Sequence, residues 1–597
     1  MLRHENRGCL ASSRRILRRS ARGTAEKRGK RPLVGALLDG PGTPLPRPLM
    51  LGGWTRGIMT TKSRQIEEAS AWAPFRSAPF AVLWTATVIS NIGTWMHDVG
   101  ASWLMTELSP SPAVVALVQA ATTLPVFCFA LLAGAVADIV DRRKLLIAIN
   151  IAMAVVAAIF TGLVSLGLVT PLVLLLFTFV LGTGFAFMAP AWQAIVPSLV
   201  ARPELPAAVS LNSMGINISR AIGPALAGFL IVSVGLTVPF ALNVLSLLCI
   251  IAALIWWRPA PAPDQKLPPE HVLGAVRAGL RFAANSAALQ QTLVRAMAFF
   301  LFASAYWAML PLIAKTVLDG GAGLYGILLA CVGAGAVLGA LVMPRVRKGL
   351  GADRTVAAGS FGTALVLSLF AVAPNGIVAG LAAAFGGVCW IAVLSSLNVS
   401  AQTALANWVR ARGLSVFLTV FFGTMTLGSL VWGQVAEHFG IPVALIAAAV
   451  GILIGIPVTW WAKLSLGEAI DFTPSMHWPE PASAPDEGAA DHPVMIQIAY
   501  AVPEENRDRF VATMKELATT RRRLGGFGWT LMENIEARGR FVETWREASW
   551  TQHLRHHARV AESDRAIQLK VRALLDDGTE PEIRHFATPH PSRESAS

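Results

Sequence analysis

From Phe80 to Trp461 the sequence is a succession of apolar runs. Each is about twenty residues or more, enough to cross a ~30 Å hydrocarbon core as a helix. A bilayer offers no partner to a backbone N–H or C=O, so such runs must be helices that satisfy their own hydrogen bonds. Twelve are read, over 80–106, 112–137, 145–168, 171–198, 205–232, 236–257, 290–316, 322–343, 354–373, 376–400, 412–436 and 441–462. Apolar residues make up 54% of the 597 and charged residues 14%. A soluble domain carries about 25% charged residues. A purely water-soluble enzyme is therefore excluded, as are collagen-like, coiled-coil and disulfide-scaffold chains.

The net charge of +14 suggests nucleic acid, but its distribution argues against that partner. Residues 1–58 hold thirteen Lys/Arg against three Asp/Glu, so most of the excess belongs to a tail. Residues 1–75 read as a disordered basic segment. Two readings of 1–58 stay open: a transit peptide, or a stretch upstream of a start at Met59. Four of the five cysteines (Cys128, Cys249, Cys331, Cys389) lie in apolar runs, and Cys9 lies in the tail. No Cys/His spacing suggests a metal, and no cofactor is expected. Fourteen Lys/Arg, from Arg142, Arg143 and Lys144 to Arg410 and Arg412, fall in one set of loops. Lys315 stands alone in the other. The bias places both ends of the helical unit in the cytoplasm, in a multi-pass protein of the inner membrane.

The runs split six and six, into 76–257 and 290–464. The segment between, 258–289, includes a stretch with Val272, Val276, Leu280 and Ala283 on one face and Arg277 and Arg281 opposite, which predicts a cytoplasmic surface helix. The halves are weakly similar. Gly134 and Gly339 align, and Gln193/Gln402, Val200/Val409 and Leu205/Leu414 share one offset, as in a transporter built from two parallel repeats. Residues 465–492 read as a Pro/Ala-rich linker and 589–597 as a tail. Residues 493–588 read as a water-soluble domain with the order βαββαβ, an α+β ferredoxin-like fold.

The stretch after the second run carries Gly134, Asp138, Asp141, Arg142, Arg143 and Lys144. It resembles the G-x-x-x-D-[RK]-x-G-R-R-[RK] loop of the major facilitator superfamily, departing at Ile139 and Asp141. NIGTWMHDVGASWLMTELSPSP, PAWQAIVPSLV and LNSMGINISRAIGPALAG are similar to the enterobactin-exporter-like branch, also called transmembrane secretion effectors. The resemblance covers about 75–463 and implies a secondary transporter with two six-helix halves. It implies a gate at Gly134, Asp138, Asp141, Arg142 and Arg143, with Asp138 and Arg142 as its working pair. Gly223, Pro224 and Gly228 resemble the end of an antiporter motif, which implies export. MENIEARGRFVETWREASWTQHLRHHARV resembles the antibiotic-biosynthesis monooxygenases, dimeric α/β barrels in which Asn534, Trp545, His553, His556 and His557 would be pocket residues. Trp545 alternates into the sheet, and the histidines lie on a polar helix that reads as exposed. A dimerisation or regulatory module, forming a homodimer, is expected there in preference to catalysis.

Arg220 sits mid-run, and an intramembrane arginine faces the bundle interior with a partner. Asp98 is the acidic residue deep within a run of the first half, and is taken as that partner and as the site of proton coupling. His97 lies about 100° around the same helix and reads as a mouth residue. Gln119, Gln193 and Asn217 join the substrate and proton pathway, with Trp95, Trp192, Tyr306, Trp307 and Trp390 as cavity walls. No phosphate-binding loop is present, so an ion gradient supplies the energy. The expectation is a proton-coupled exporter of small amphipathic, drug- or siderophore-like molecules, with no catalytic residues. An importer of the same fold and a membrane-tethered monooxygenase are the alternatives.

Overall fold

The computed structural model describes residues 72–258, 272–406, 408–464, 471–475, 478, 492–576 and 578–587. The expectations for 1–71, for most of the linker and for the C-terminal tail lie outside these. The first half comprises α1 (Ala78–Leu108), α2 (Pro112–Ile139), α3 (Arg142–Ser165), α4 (Pro171–Leu199), α5 (Leu205–Ser233) and α6 (Thr237–Trp256). The amphipathic α7 (Val272–Ala284) follows. The second half comprises α8 (Ala287–Leu312), α9 (Ala322–Val372), α10 (Gly376–Thr403), α11 (Arg410–Phe439) and α12 (Ile441–Val458).

Ten helices among the described residues are long and apolar enough to cross a membrane. The sequence reading had twelve runs, and two local features account for the difference. α1 carries Asn91, His97 and Asp98, which lower its hydropathy. α9 joins two runs into 51 residues, interrupted at Gly351, whose φ of 76° and ψ of 172° are not helical. A side chain would be strained there, so glycine marks the corner.

Helix ends follow the local chemistry. Ser111 caps α2 at Val114 N, Thr170 caps α4 and Asn375 caps α10. Lipid gives apolar side chains no reason to prefer one another, so small residues that let backbones approach decide the packing. A Cβ on Gly335 of α9 would overlap the Ala384 carbonyl oxygen of α10, and one on Gly387 would overlap the Val332 carbonyl oxygen. Between the halves, Gly228 of α5 and Gly326 of α9 meet so closely that a Cβ on Gly228 would lie 2.9 Å from the Gly326 Cα.

The soluble part is a four-stranded sheet with helices. β1 (Val494–Ala501), α13 (Arg507–Leu524), β2 (Phe527–Glu533), β3 (Arg540–Glu547), α14 (Trp550–Arg559), α15 (Glu562–Arg572) and β4 (Glu582–Ala587) follow in order. The strands lie β2-β3-β1-β4, all neighbours antiparallel, the order two interleaved βαβ units produce. Ile496, Ile498, Phe510, Met514, Phe541 and Trp545 form its core. α13 also packs on α7, which in turn touches α2 and α11.

Replacing Gly335 or Gly387 by alanine is expected to force α9 and α10 apart, at about 1–3 kcal/mol each by overpacking. Gly162→Ala, where nothing lies within 4 Å of the new Cβ, is expected to cost nothing of that kind. Thermal unfolding of the three variants in detergent measures the difference.

Candidate functional site: a central cavity and the contacts that close it

A cavity of about 220 Å³ lies between the halves. α1 supplies Trp95, Asp98 and Ser102, α2 supplies Gln119 and Thr123, and α5 supplies Arg220. The second half supplies Trp307, Tyr325, Trp390, Phe421, Phe422 and Met425. One wall is therefore polar and charged, the other aromatic. Asp98 and Arg220 face the same space, as the sequence placed them, but they form no ion pair. Arg220 stacks on Trp95 instead, its guanidinium carbon 5.6 Å from the ring centroid, with Nε unpartnered.

Other candidates lie elsewhere. Gln193 is exposed on α4. Asn217 donates Nδ2 to the Ser213 carbonyl one turn back, a local helix bond. Trp192 donates to Asn212 at 3.1 Å, away from the cavity. Tyr306 packs against Trp307 and Trp390, its hydroxyl unpartnered. His97 is not at a mouth: it is buried between Phe160 and Phe240, with ring centroids 5.6 and 5.0 Å away.

The basic loop after α2 ties helix ends together. Asp141 Oδ1 accepts from Lys144 N and caps α3, which explains an acidic residue where the resembled motif has glycine. Arg142 donates to Ala137 O and, at 3.3 Å, to Ala194 O of α4. Arg143 donates to Leu254 O and Ile255 O at 2.8 and 2.6 Å, a cation on the last carbonyls of α6. Gly134 lies against Ser415 of α11. The Asp138 side chain lies outside the described residues. Gly223 packs on Ile92 and Trp95 of α1, and the Pro224 carbonyl faces Gly326.

At the other end of the bundle two contacts escaped the sequence reading. Glu437 of α11 accepts from Ser111 Oγ at 2.6 Å and from Ala113 N at 3.3 Å, an anion on the N-terminus of α2. Lys315 donates to the Thr106 carbonyl in the last turn of α1. Each charge sits on the helix end of opposite sign, across the two halves. Gly433 of α11 fits against Ala113 and Ala116 beside them. Lys315, the lone Lys/Arg in that loop set, was the available signal.

In the soluble domain, Glu543 binds Tyr500 Oη, Arg521 and Trp529. Glu547 binds Trp545 Nε1 and His556 Nδ1, at 2.9 and 2.5 Å. His553 and His556 are buried, correcting the reading of an exposed helix face. Asn534 is a turn residue, accepting from Glu536 N and Ala537 N. Trp545 is core. Burial, then His553 nearby, brings the His557 pKa down to about 4, and burial lowers that of His585. Burial alone would raise the Glu547 carboxyl, but His556 and His553 outweigh it and hold it below its usual range. Among the described residues no His/Cys/Asp/Glu group could hold a metal ion.

This is the arrangement of a secondary transporter: two packed helical halves around one cavity. Solved transporters share the fold. They include a mutant of the nucleoside transporter NupG (TM-score 0.53, 14% identity, 64% of this chain and 99% of that one). A POT family transporter in complex with a thioalcohol-conjugated peptide matches at TM-score 0.52 and 12% identity, covering 64% and 95%. The family is particular. Residues 69–593 match the transmembrane secretion effector family, a branch of the major facilitator superfamily, and the chain belongs to it. The match runs through the soluble domain. Among curated relatives, the Staphyloferrin A transporter of Staphylococcus aureus (strain NCTC 8325 / PS 47) is 24% identical over 59% of this chain and 87% of its own. The Multidrug efflux pump Tap of Mycolicibacterium fortuitum is 23% identical, over 65% and 97%. The Enterobactin exporter EntS of Escherichia coli O1:K1 / APEC is 26% identical, over 56% and 80%.

Glu437→Ala removes the carboxylate that holds the α1–α2 corner to α11. Spin labels at Ser109 and Phe439 are expected to show a larger population at long distance in that variant than in the parent. In the soluble domain, His557 has a folded pKa below its ordinary 6.5, so the unfolded chain takes the proton first. The contribution of Glu547 is present above its ordinary 4.5 and lost as pH falls below it. Stability of this domain is therefore expected to fall as pH drops from 6.5 to 4. His557→Gln is expected to flatten the upper part of that profile, read by hydrogen exchange of β1 and β3 amides in the full chain.

Proposed function

We propose that the chain is a proton-coupled exporter of small amphipathic molecules, drug- or siderophore-like, in the inner membrane. Asp98 and Arg220 facing one cavity walled by both halves is the observation that carries this reading. Counting α1 and both arms of α9 as spans, twelve helices cross the bilayer, with both termini in the cytoplasm. The cargo's apolar body lies against Trp307, Trp390 and Phe421, its polar head toward Arg220 and Gln119. Asp98 takes and releases the coupling proton. The contacts at Glu437, Lys315, Gly228 and Gly433 shut the end away from the basic loops, so the cavity loads from the cytoplasm. Rocking of one half against the other then exposes it outside. The names of the Tap pump and of the Enterobactin exporter support the outward direction.

The test is accumulation of a dye, antibiotic and siderophore panel in a bacterial host lacking its main drug pumps. The chain is expected to lower intracellular levels of at least one compound, and both a protonophore and Asp98→Asn are expected to abolish the effect. Export that survives the protonophore would remove proton coupling. Raised accumulation would reverse the direction.

A further inference from the structure

The soluble domain contains a cavity larger than the one between the helical halves, about 660 Å³. Its floor is the face of β1, β3 and β4, and α13, α14 and α15 wall it. This size suits a small organic molecule. Ile496, Ile498, Leu517, Val571 and Ile583 give it apolar surface. The polar residues lining it are mostly of one kind. Arg521, Arg565, Arg572, His553, His557 and His585 all face it, and no Asp or Glu among the described residues does.

Two of these groups hold unused donors. Arg521 is 2% exposed and lies between Trp478 and Trp545, with its guanidinium carbon 5.0 and 4.2 Å from their ring centroids. Its Nε and Nη2 are spent on Glu543, behind the cavity wall, while Nη1 has no partner. A buried donor left unmade costs free energy, and here it adds an uncompensated positive charge behind the cavity wall. The second is the imidazole cluster. His553 Nε2 lies 3.1 Å from Nε2 of both His557 and His585. His553 Nδ1 lies 3.4 Å from Glu547 Oε2, with neither atom hydrogen-bonded. Three adjoining imidazoles bring at least one N–H each to this wall. The rim arginines Arg565 and Arg572 pair only with exposed carboxylates, at 3.4 and 3.0 Å. Such pairs are weak and leave their field available to an anion.

We propose that this cavity is a binding site for a small organic anion with a ring-sized apolar body and a carboxylate-type head, separate from the transport cavity. The head lies among Arg565, Arg572 and the imidazoles of His553, His557 and His585, and the body lies on Ile498 and Leu517. The site does not depend on the direction or coupling of transport.

The test is calorimetric titration of the purified full-length protein in detergent with 2-naphthoate, and with 2-naphthamide as its uncharged counterpart. One naphthoate per chain is expected, with the amide at least tenfold weaker. Arg565→Glu/Arg572→Glu and His585→Ala, at exposed or half-exposed positions that leave the buried Glu543 pair intact, are expected to weaken naphthoate at least tenfold without lowering the melting temperature. Arg220→Gln, in the transport cavity, is expected to bind as the parent does. Equal binding of the amide, loss of binding in Arg220→Gln with retention in the domain variants, or no naphthoate binding at millimolar concentration would each overturn the proposal.

Discussion

Two glycines, Gly228 and Gly326, meet where α5 of the first half touches α9 of the second, and this contact sets how closely the halves approach. In lipid, two helices gain little by burying leucine against leucine, and much by bringing backbones into contact. A contact without side chains can also slide and tilt without breaking knobs out of holes. The halves are therefore joined there by backbone rather than by interlocked side chains. The contacts within the second half, at Gly335 and Gly387, are closer still and hold α9 against α10.

Charge supplies what glycine cannot, a preference for one arrangement. Glu437 on the start of α2 and Lys315 on the end of α1 each answer a helix dipole, and each crosses from one half to the other. Arg143 does the same at the end of α6, but within one half. The first two contacts tie the halves to each other, whereas the Arg143 contact stays within its own half. Charged hydrogen bonds at or near a surface are individually weak, so these two favour one arrangement of the halves without locking it.

The helices were legible because hydropathy and loop charge are local properties of the chain. The cavity was legible in part, for the same reason. Asp98, Arg220, Gln119, Trp307 and Trp390 are polar or aromatic residues inside apolar runs, and for the two charged ones burial cost is the signal. What each would meet was not legible. Arg220 and Asp98 were expected to pair, and the register of α1 against α5 puts Trp95 on the arginine instead. Gln193 and Asn217 look the same in sequence as Gln119, and only helix rotation separates them. In the soluble domain, the histidines of α14 read as exposed because the helix is polar. Glu547, on a strand six residues before His553, turns that polar face inward.

The same strand-to-helix pairing gives the soluble domain two faces on one short segment. Arg521 lies in the domain's cavity, while two residues on, Arg523 reaches over Phe282 of α7, 5.8 Å from its ring centroid. Two residues further, the Gly525 carbonyl accepts from Arg281 of α7 at 3.1 Å. Arg559, at the end of α14, stacks on Trp408 beside the start of α11, 4.1 Å from its ring centroid. α7 itself bears on α2 and α11, one helix from each half. Its Gly279 lies so near Arg412 that a Cβ there would come within 2.9 Å of the arginine Cβ. A shift of the last turn of α13 has little slack to absorb it before it meets α7, because Leu524 is buried in the domain and Phe282 in the helical core. The inter-half helix is thus packed between the domain that holds this cavity and one helix from each half, with a buried aromatic, Phe282, where a loose linker would carry none.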